Sequence, residues 1–143
     1  MNLPMTDDAR TTSGQPAPWG DLWQKRNSLV FFAREGDEAS DRTVEALQRA
    51  VPDLASENAV PIVVFPKKPA RAPEGLLVLV DPDHRLAKRL NAGPGRLLAV
   101  DRFFEVLRGL DVDAANPEPA IDEAIGWIDL AQISCPECGV ATW

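Results

Sequence analysis

The only two cysteines of the 143-residue chain lie three positions apart, in Cys135-Pro136-Glu137-Cys138-Gly139. Thiols at this spacing can close a small disulfide or grip one side of a metal ion as thiolates. A redox thiol is activated where a helix begins, because the positive end of the helix dipole stabilises the thiolate. Cys135 instead follows a stretch with helical periodicity, so the dipole has the wrong sign there, and Glu137 adds negative charge. Both effects disfavour a free thiolate. A bound metal reverses them, since coordination removes the thiol proton outright. Cys135 and Cys138 are therefore read first as metal ligands. A redox dithiol and a chemically idle pair stay open, because one C-x-x-C is a weaker signal than two.

The elements upstream must position this pair. Residues 1–18 are polar, rich in Thr, Asp, Pro and Gly, and without hydrophobic period, as in a flexible lead-in whose end Trp19, Leu22 and Trp23 pin to the body. Leu29-Val30-Phe31-Phe32-Ala33 is a short apolar run of the kind a buried strand makes. Val44, Leu47 and Val51 follow at helical spacing, with Asp37 or Ser40 as cap and Pro52 as interruption. Val60 to Phe65 and Leu76 to Val80 read as strands covered on both faces, joined by the Pro- and Lys-rich loop 66–75. Asp81-Pro82-Asp83 supplies a helix start, with Asp81 as cap and Pro82 in the first turn, and Asn91 and Gly93 end that helix. Residues 96–101 and 103–107 read as adjacent strands around a turn at Arg102, and 111–119 as a loop. Ile121, Ala124, Ile125 and Ile128 form the apolar stripe of a last helix running towards Ile133, with Trp127 at the stripe's edge. The order is βαβ, then βα, then ββα.

Composition bounds the function classes. At 45% apolar residues the chain is sized for one globular domain, and its net charge of −7 repels nucleic acid and anionic membranes. Lys67, Lys68 and Arg71 form the best local basic patch and read as a solvated loop. No apolar run approaches the ~20 residues of a membrane span, and no secretory signal pattern is evident, so a cytoplasmic location is expected. The single histidine, His84, reads as a surface residue at a helix start. Asp81 with Asp83, and Asp111 with Asp113, read as cap and loop residues before cation ligands. One histidine leaves no confident Ser/His/Asp set, and no glycine-rich phosphate loop follows a strand.

The words Val80-Asp81-Pro82-Asp83-His84-Arg85-Leu86-Ala87-Lys88-Arg89-Leu90 and Leu97-Leu98-Ala99-Val100-Asp101-Arg102, with Leu22-Trp23-Gln24-Lys25-Arg26-Asn27 before Leu29 to Phe32, resemble the peroxiredoxin branch of the thioredoxin-like superfamily, the alkyl hydroperoxide reductase/thiol-specific antioxidant group. The resemblance covers residues 19–133 and implies an α/β, thioredoxin-like fold, a central mixed sheet flanked by helices. It also implies a peroxidatic cysteine at a helix N-terminus after Phe31-Phe32. The corresponding stretch, Ala33 to Asp41, has no cysteine and carries the acids Glu35, Asp37, Glu38 and Asp41. The family's cis-proline position falls on Gly95, with Pro94 one place early, and the helix usual between the second and third strands is cut to loop 66–75. Peroxidase chemistry at the usual place is therefore not expected.

The CPECG stretch is similar to the knuckles of rubredoxins and zinc ribbons, where Gly139 would let amide N–H groups face the thiolates. One knuckle supplies two ligands of the four required. A second copy across a two-fold axis, or a partner protein, would supply the rest. The expectation is a lead-in at 1–18, a thioredoxin-like domain at 19–133 and a cysteine tail at 134–143. Its function would be a non-peroxidase interaction or accessory role, with zinc, or iron, held by Cys135 and Cys138 at a homodimer or partner interface. The alternative is a thiol-disulfide oxidoreductase that uses the same two cysteines.

Overall fold

A computed structural model describes residues 9–34, 38–113 and 115–134. Cys135, Cys138, Gly139 and Trp143 lie outside the described residues, as does the proposed cap Asp37. The elements are β1 (Arg10–Thr11), α1 (Trp19–Leu22), β2 (Asn27–Phe32), α2 (Glu38–Ser56), β3 (Ala59–Phe65), β4 (Leu77–Val80), α3 (Arg85–Arg89), β5 (Arg96–Val100), β6 (Val106–Asp111) and α4 (Glu118–Ser134). They build one six-stranded mixed sheet in the order β1-β4-β3-β2-β5-β6. The strands β2, β3 and β4 run parallel, while β1 and β5 run antiparallel to their neighbours.

The continuous apolar runs have a simple cause: successive side chains of a strand point to opposite faces, and both faces are covered. Leu29, Phe31 and Ala33 enter the core beneath α2 and α4, with Leu47, Leu54, Ile121, Ala124 and Ile128. Val30 and Phe32 point the other way, into a core with Trp19, Leu22, Leu86, Leu90 and Phe104. At the register level β2 pairs Val30 with Ile62 on one side and with Leu98 on the other, so every β2 residue is buried.

Four local expectations are corrected. Part of the stretch expected as a flexible lead-in is folded: Ala9 is fully buried, and Arg10 and Thr11 pair with Val80 and Leu79 on the sheet edge. Edge pairing uses backbone groups, which polar residues carry as well as apolar ones.

Pro52 does not end α2, which continues to Ser56. The residue stands on the solvent side, where the carbonyl left without its partner can be hydrated, and Leu54 prolongs the buried stripe. Helix α3 starts at Arg85, not at Pro82. The second strand of the late pair begins at Val106 rather than Phe103, because Asp101 Oδ1 accepts the N–H groups of Phe103 at 2.9 Å and Glu105 at 3.0 Å. That turn places Phe104 at φ +61°, buried edge-on against Trp19 at 5.9 Å between ring centres. Loop 66–75 carries no helix, as expected. No helix among the described residues is long and apolar enough to cross a membrane.

Candidate functional site

The parallel strands β2, β3 and β4 end together, and in open α/β sheets the crevice beyond such carboxyl ends is where ligands sit. A cavity of about 160 Å³ lies here, lined by Phe32, Ala33 and Arg34 from the end of β2, Val64, Phe65 and Pro66 from β3, Asp81 and His84 after β4, Ala87 of α3, and Pro94. Its floor is apolar and its polar groups are few.

Asp81 organises one wall. Pro82 fits the second position of a turn that closes when His84 N–H donates to the Asp81 carbonyl at 3.1 Å. His84 then stands at the N-cap of α3 at φ 55°, where it offers no side-chain cap. Asp81 caps the helix from outside instead: its Oδ1 accepts Leu86 N–H at 3.2 Å and its Oδ2 accepts Ala87 N–H at 3.1 Å. These are the second and third amides of α3, the donors that an N-cap side chain ordinarily satisfies. The cap assigned to Asp81 from sequence is thus present, with the helix starting three residues later than expected. Its carboxylate is only 2% exposed, a burial these two hydrogen bonds make tolerable.

The resemblance would place a reactive thiol in the stretch just after β2. Ser40 is buried there, and its Oγ accepts Arg34 N–H at 2.8 Å, tying the first turn of α2 to the end of β2. The other acids weighed from sequence are structural. Asp83 meets Arg85 at 3.9 Å on the surface, Asp111 meets Arg96 at 3.1 Å, and Asp113 Oδ1 accepts Ala115 N–H at 3.0 Å. His84 is exposed. Among the described residues no three His, Cys, Asp or Glu side chains gather as a metal site requires. The pair Cys135 and Cys138 falls outside the described residues, beyond Ser134 at the end of α4.

Two features escaped the sequence reading. On α4, Trp127, Leu130 and Ile133 are 38%, 53% and 72% exposed, a second apolar stripe leading to the cysteines. Its i, i+3, i+6 spacing was the available signal. The other is a polar cluster at the amino end of β2. Asn27 Nδ2 donates to the Glu57 carbonyl at 3.1 Å and to Gln132 Oε1 at 3.0 Å, beside the carboxyl groups of Glu57 and Asp129. The hydrogen bond with Asp129, then lost hydration, then the Asp129 charge hold Glu57 above the ordinary glutamate range. The folded chain keeps this proton to higher pH than the unfolded chain. The pair's contribution is complete below the unfolded value of about 4.3 and is lost as pH rises through the raised folded value. Glu57→Gln, which presents a donor to Asp129 at every pH, is expected to flatten that decline. Urea midpoints across this window should fall with pH more steeply for the wild type than for the variant, and parallel profiles would show that the pair does not titrate there.

No protein-family model matches the chain, and no curated relative matches it. Solved structures do. Thioredoxin peroxidase I of Plasmodium yoelii is 14% identical, with 92% of this chain and 89% of that one covered at a TM-score of 0.69. A putative thiol:disulfide interchange protein DsbE from Chlorobium tepidum is 12% identical, with 89% and 95% covered at 0.71. Peroxiredoxin Q of Xanthomonas campestris is 11% identical, with 92% and 97% covered at 0.70. At these identities the likeness concerns the path of the backbone, and with the six-stranded mixed sheet and its flanking helices it establishes that the chain has the thioredoxin-like fold.

Proposed function

We propose that the chain is a non-peroxidase accessory module of thioredoxin-like fold. In this reading it pairs with a second copy of itself through the outer face of α4, and Cys135 and Cys138 of each copy contribute to a shared four-thiolate zinc site. The observation that carries the reading is the exposed Trp127, Leu130 and Ile133 stripe, which ends two residues before Cys135. Apolar surface that no other described residue covers favours a protein partner, and a two-fold axis would supply the two ligands that one knuckle lacks. The stretch from Ala33 to Asp41 supports the non-peroxidase part, since it has no cysteine and its Ser40 hydroxyl is engaged by Arg34 N–H. Metal analysis of protein purified without chelator, together with molar mass in solution, tests the proposal. The expected result is about one zinc per two chains in a dimer; metal-free protein with two freely reactive thiols would overturn it.

The structural neighbours favour a second reading. They include a thioredoxin peroxidase and a putative thiol:disulfide interchange protein, and on that reading Cys135 and Cys138 cycle between dithiol and disulfide. Disulfide-reduction activity that survives both Cys135→Ser and Cys138→Ser would exclude these cysteines as its centre.

A further inference from the structure

The cavity at the carboxyl ends of β2, β3 and β4 has a composition that selects a ligand. Its interior surfaces are Phe32, Val64, Phe65, Ala87 and the two prolines, and its volume is about 160 Å³. The backbone donors around it are committed: Ala33 N–H to the Val64 carbonyl, Asp81 N–H to the Phe65 carbonyl, and Arg34 N–H to Ser40 Oγ. Both Asp81 oxygens accept amides of α3. Arg34 and His84 differ: both are exposed at the rim with no hydrogen bond or ion pair tying the side chain to another described residue, and of the two the Arg34 guanidinium offers the permanent charge and the planar fork of donors.

From this asymmetry we infer that the cavity is a binding site for a short-chain monocarboxylate, its head on Arg34 at the rim and its alkyl tail on Phe32, Val64 and Ala87. A guanidinium matches a carboxylate with two parallel N–H donors. The tail displaces water from an apolar floor that offers water few partners. The Asp81 charge in the same wall orients the ligand, because a carboxylate at the inner end would meet both it and the apolar floor. A second carboxylate is therefore excluded. The site goes beyond the accessory reading and does not depend on metal or on the cysteines.

The test is a titration of isotope-labelled full-length protein with sodium butyrate, followed by backbone amide shifts. Saturable changes at Ala33, Phe65 and Ala87 are expected, with a dissociation constant on the order of a millimolar, as suits so small a ligand. Succinate and the neutral isostere butyramide should each bind at least tenfold more weakly. Arg34→Gln should weaken butyrate at least tenfold and leave butyramide unchanged, while Ala87→Leu, which fills the cavity, should abolish butyrate shifts without altering the circular dichroism spectrum. Shifts that do not saturate, or that arise away from these residues, would overturn the site. Equal binding of butyrate and butyramide, or butyrate binding unaffected by Arg34→Gln, would overturn the choice of ligand class.

Discussion

Asp81→Ala is expected to destabilise the fold by about 2–4 kcal/mol, lowering the urea midpoint by about 1–2 M. The wild-type carboxylate is buried and satisfies two amides of α3 at 3.2 and 3.1 Å. Hydrogen bonds to a charged acceptor contribute about 1.5–3 kcal/mol each, and alanine at a cap position typically costs about 1 kcal/mol. The loss should fall short of the simple sum because water can enter the space vacated beside the cavity and hydrate Leu86 and Ala87 N–H. Asp81→Asn separates charge from geometry. Its single carbonyl oxygen serves one amide while its NH2 group opposes the other, so an intermediate loss of about 1–2 kcal/mol is expected. If both variants unfold at the wild-type midpoint, Asp81 does not hold α3 in place. Equal losses in the two would instead assign the effect to the negative charge.

How far the sequence could be read depended on whether a residue's role is local. The runs Leu29 to Ala33 and Val60 to Phe65 announce themselves because strands covered on both faces must be apolar throughout. Asp81 was legible as a cap because the donors it serves lie within six positions of it. Pro52 was misleading because its effect on a helix depends on which side faces solvent, and only the packing of Leu47 and Leu54 decides that. Arg10 and Thr11 gave no strand signal, since an edge pair on Val80 and Leu79 is made by main-chain groups alone. The cavity was not legible. Its lining comes from three strand ends spread between Phe32 and Pro94, and only the parallel order β4-β3-β2 brings them to one rim. The same holds for Glu57 beside Asp129, which are far apart in sequence and meet where α2 and α4 end over Asn27. Cys135 and Cys138 were the plainest chemical signal in the chain, and two thiols at one spacing are compatible with metal, disulfide and inertness alike.

The double variant Leu130→Lys with Ile133→Lys is expected to convert the proposed dimer to monomer while leaving the fold intact. At 53% and 72% exposure these side chains contribute little to the core of their own chain, so the circular dichroism spectrum should match wild type, and the urea midpoint should fall only by what association and zinc contribute. Across a two-fold axis each substitution acts twice, since a self-complementary interface places the same residue on both partners. Two buried apolar contacts replaced by mutually repelling ammonium groups should weaken association by about 3–4 kcal/mol, a factor of roughly 10² to 10³. Zinc retention then distinguishes where the four ligands come from. If the site is shared between copies, metal content should fall together with molar mass, because neither chain alone provides more than two thiolates. If mass falls while zinc is retained in full, the metal is held within one chain by ligands besides the two cysteines, and the shared-site proposal fails even though the stripe is the interface. Should the variant remain dimeric with the wild-type association constant, the outer face of α4 does not form the contact.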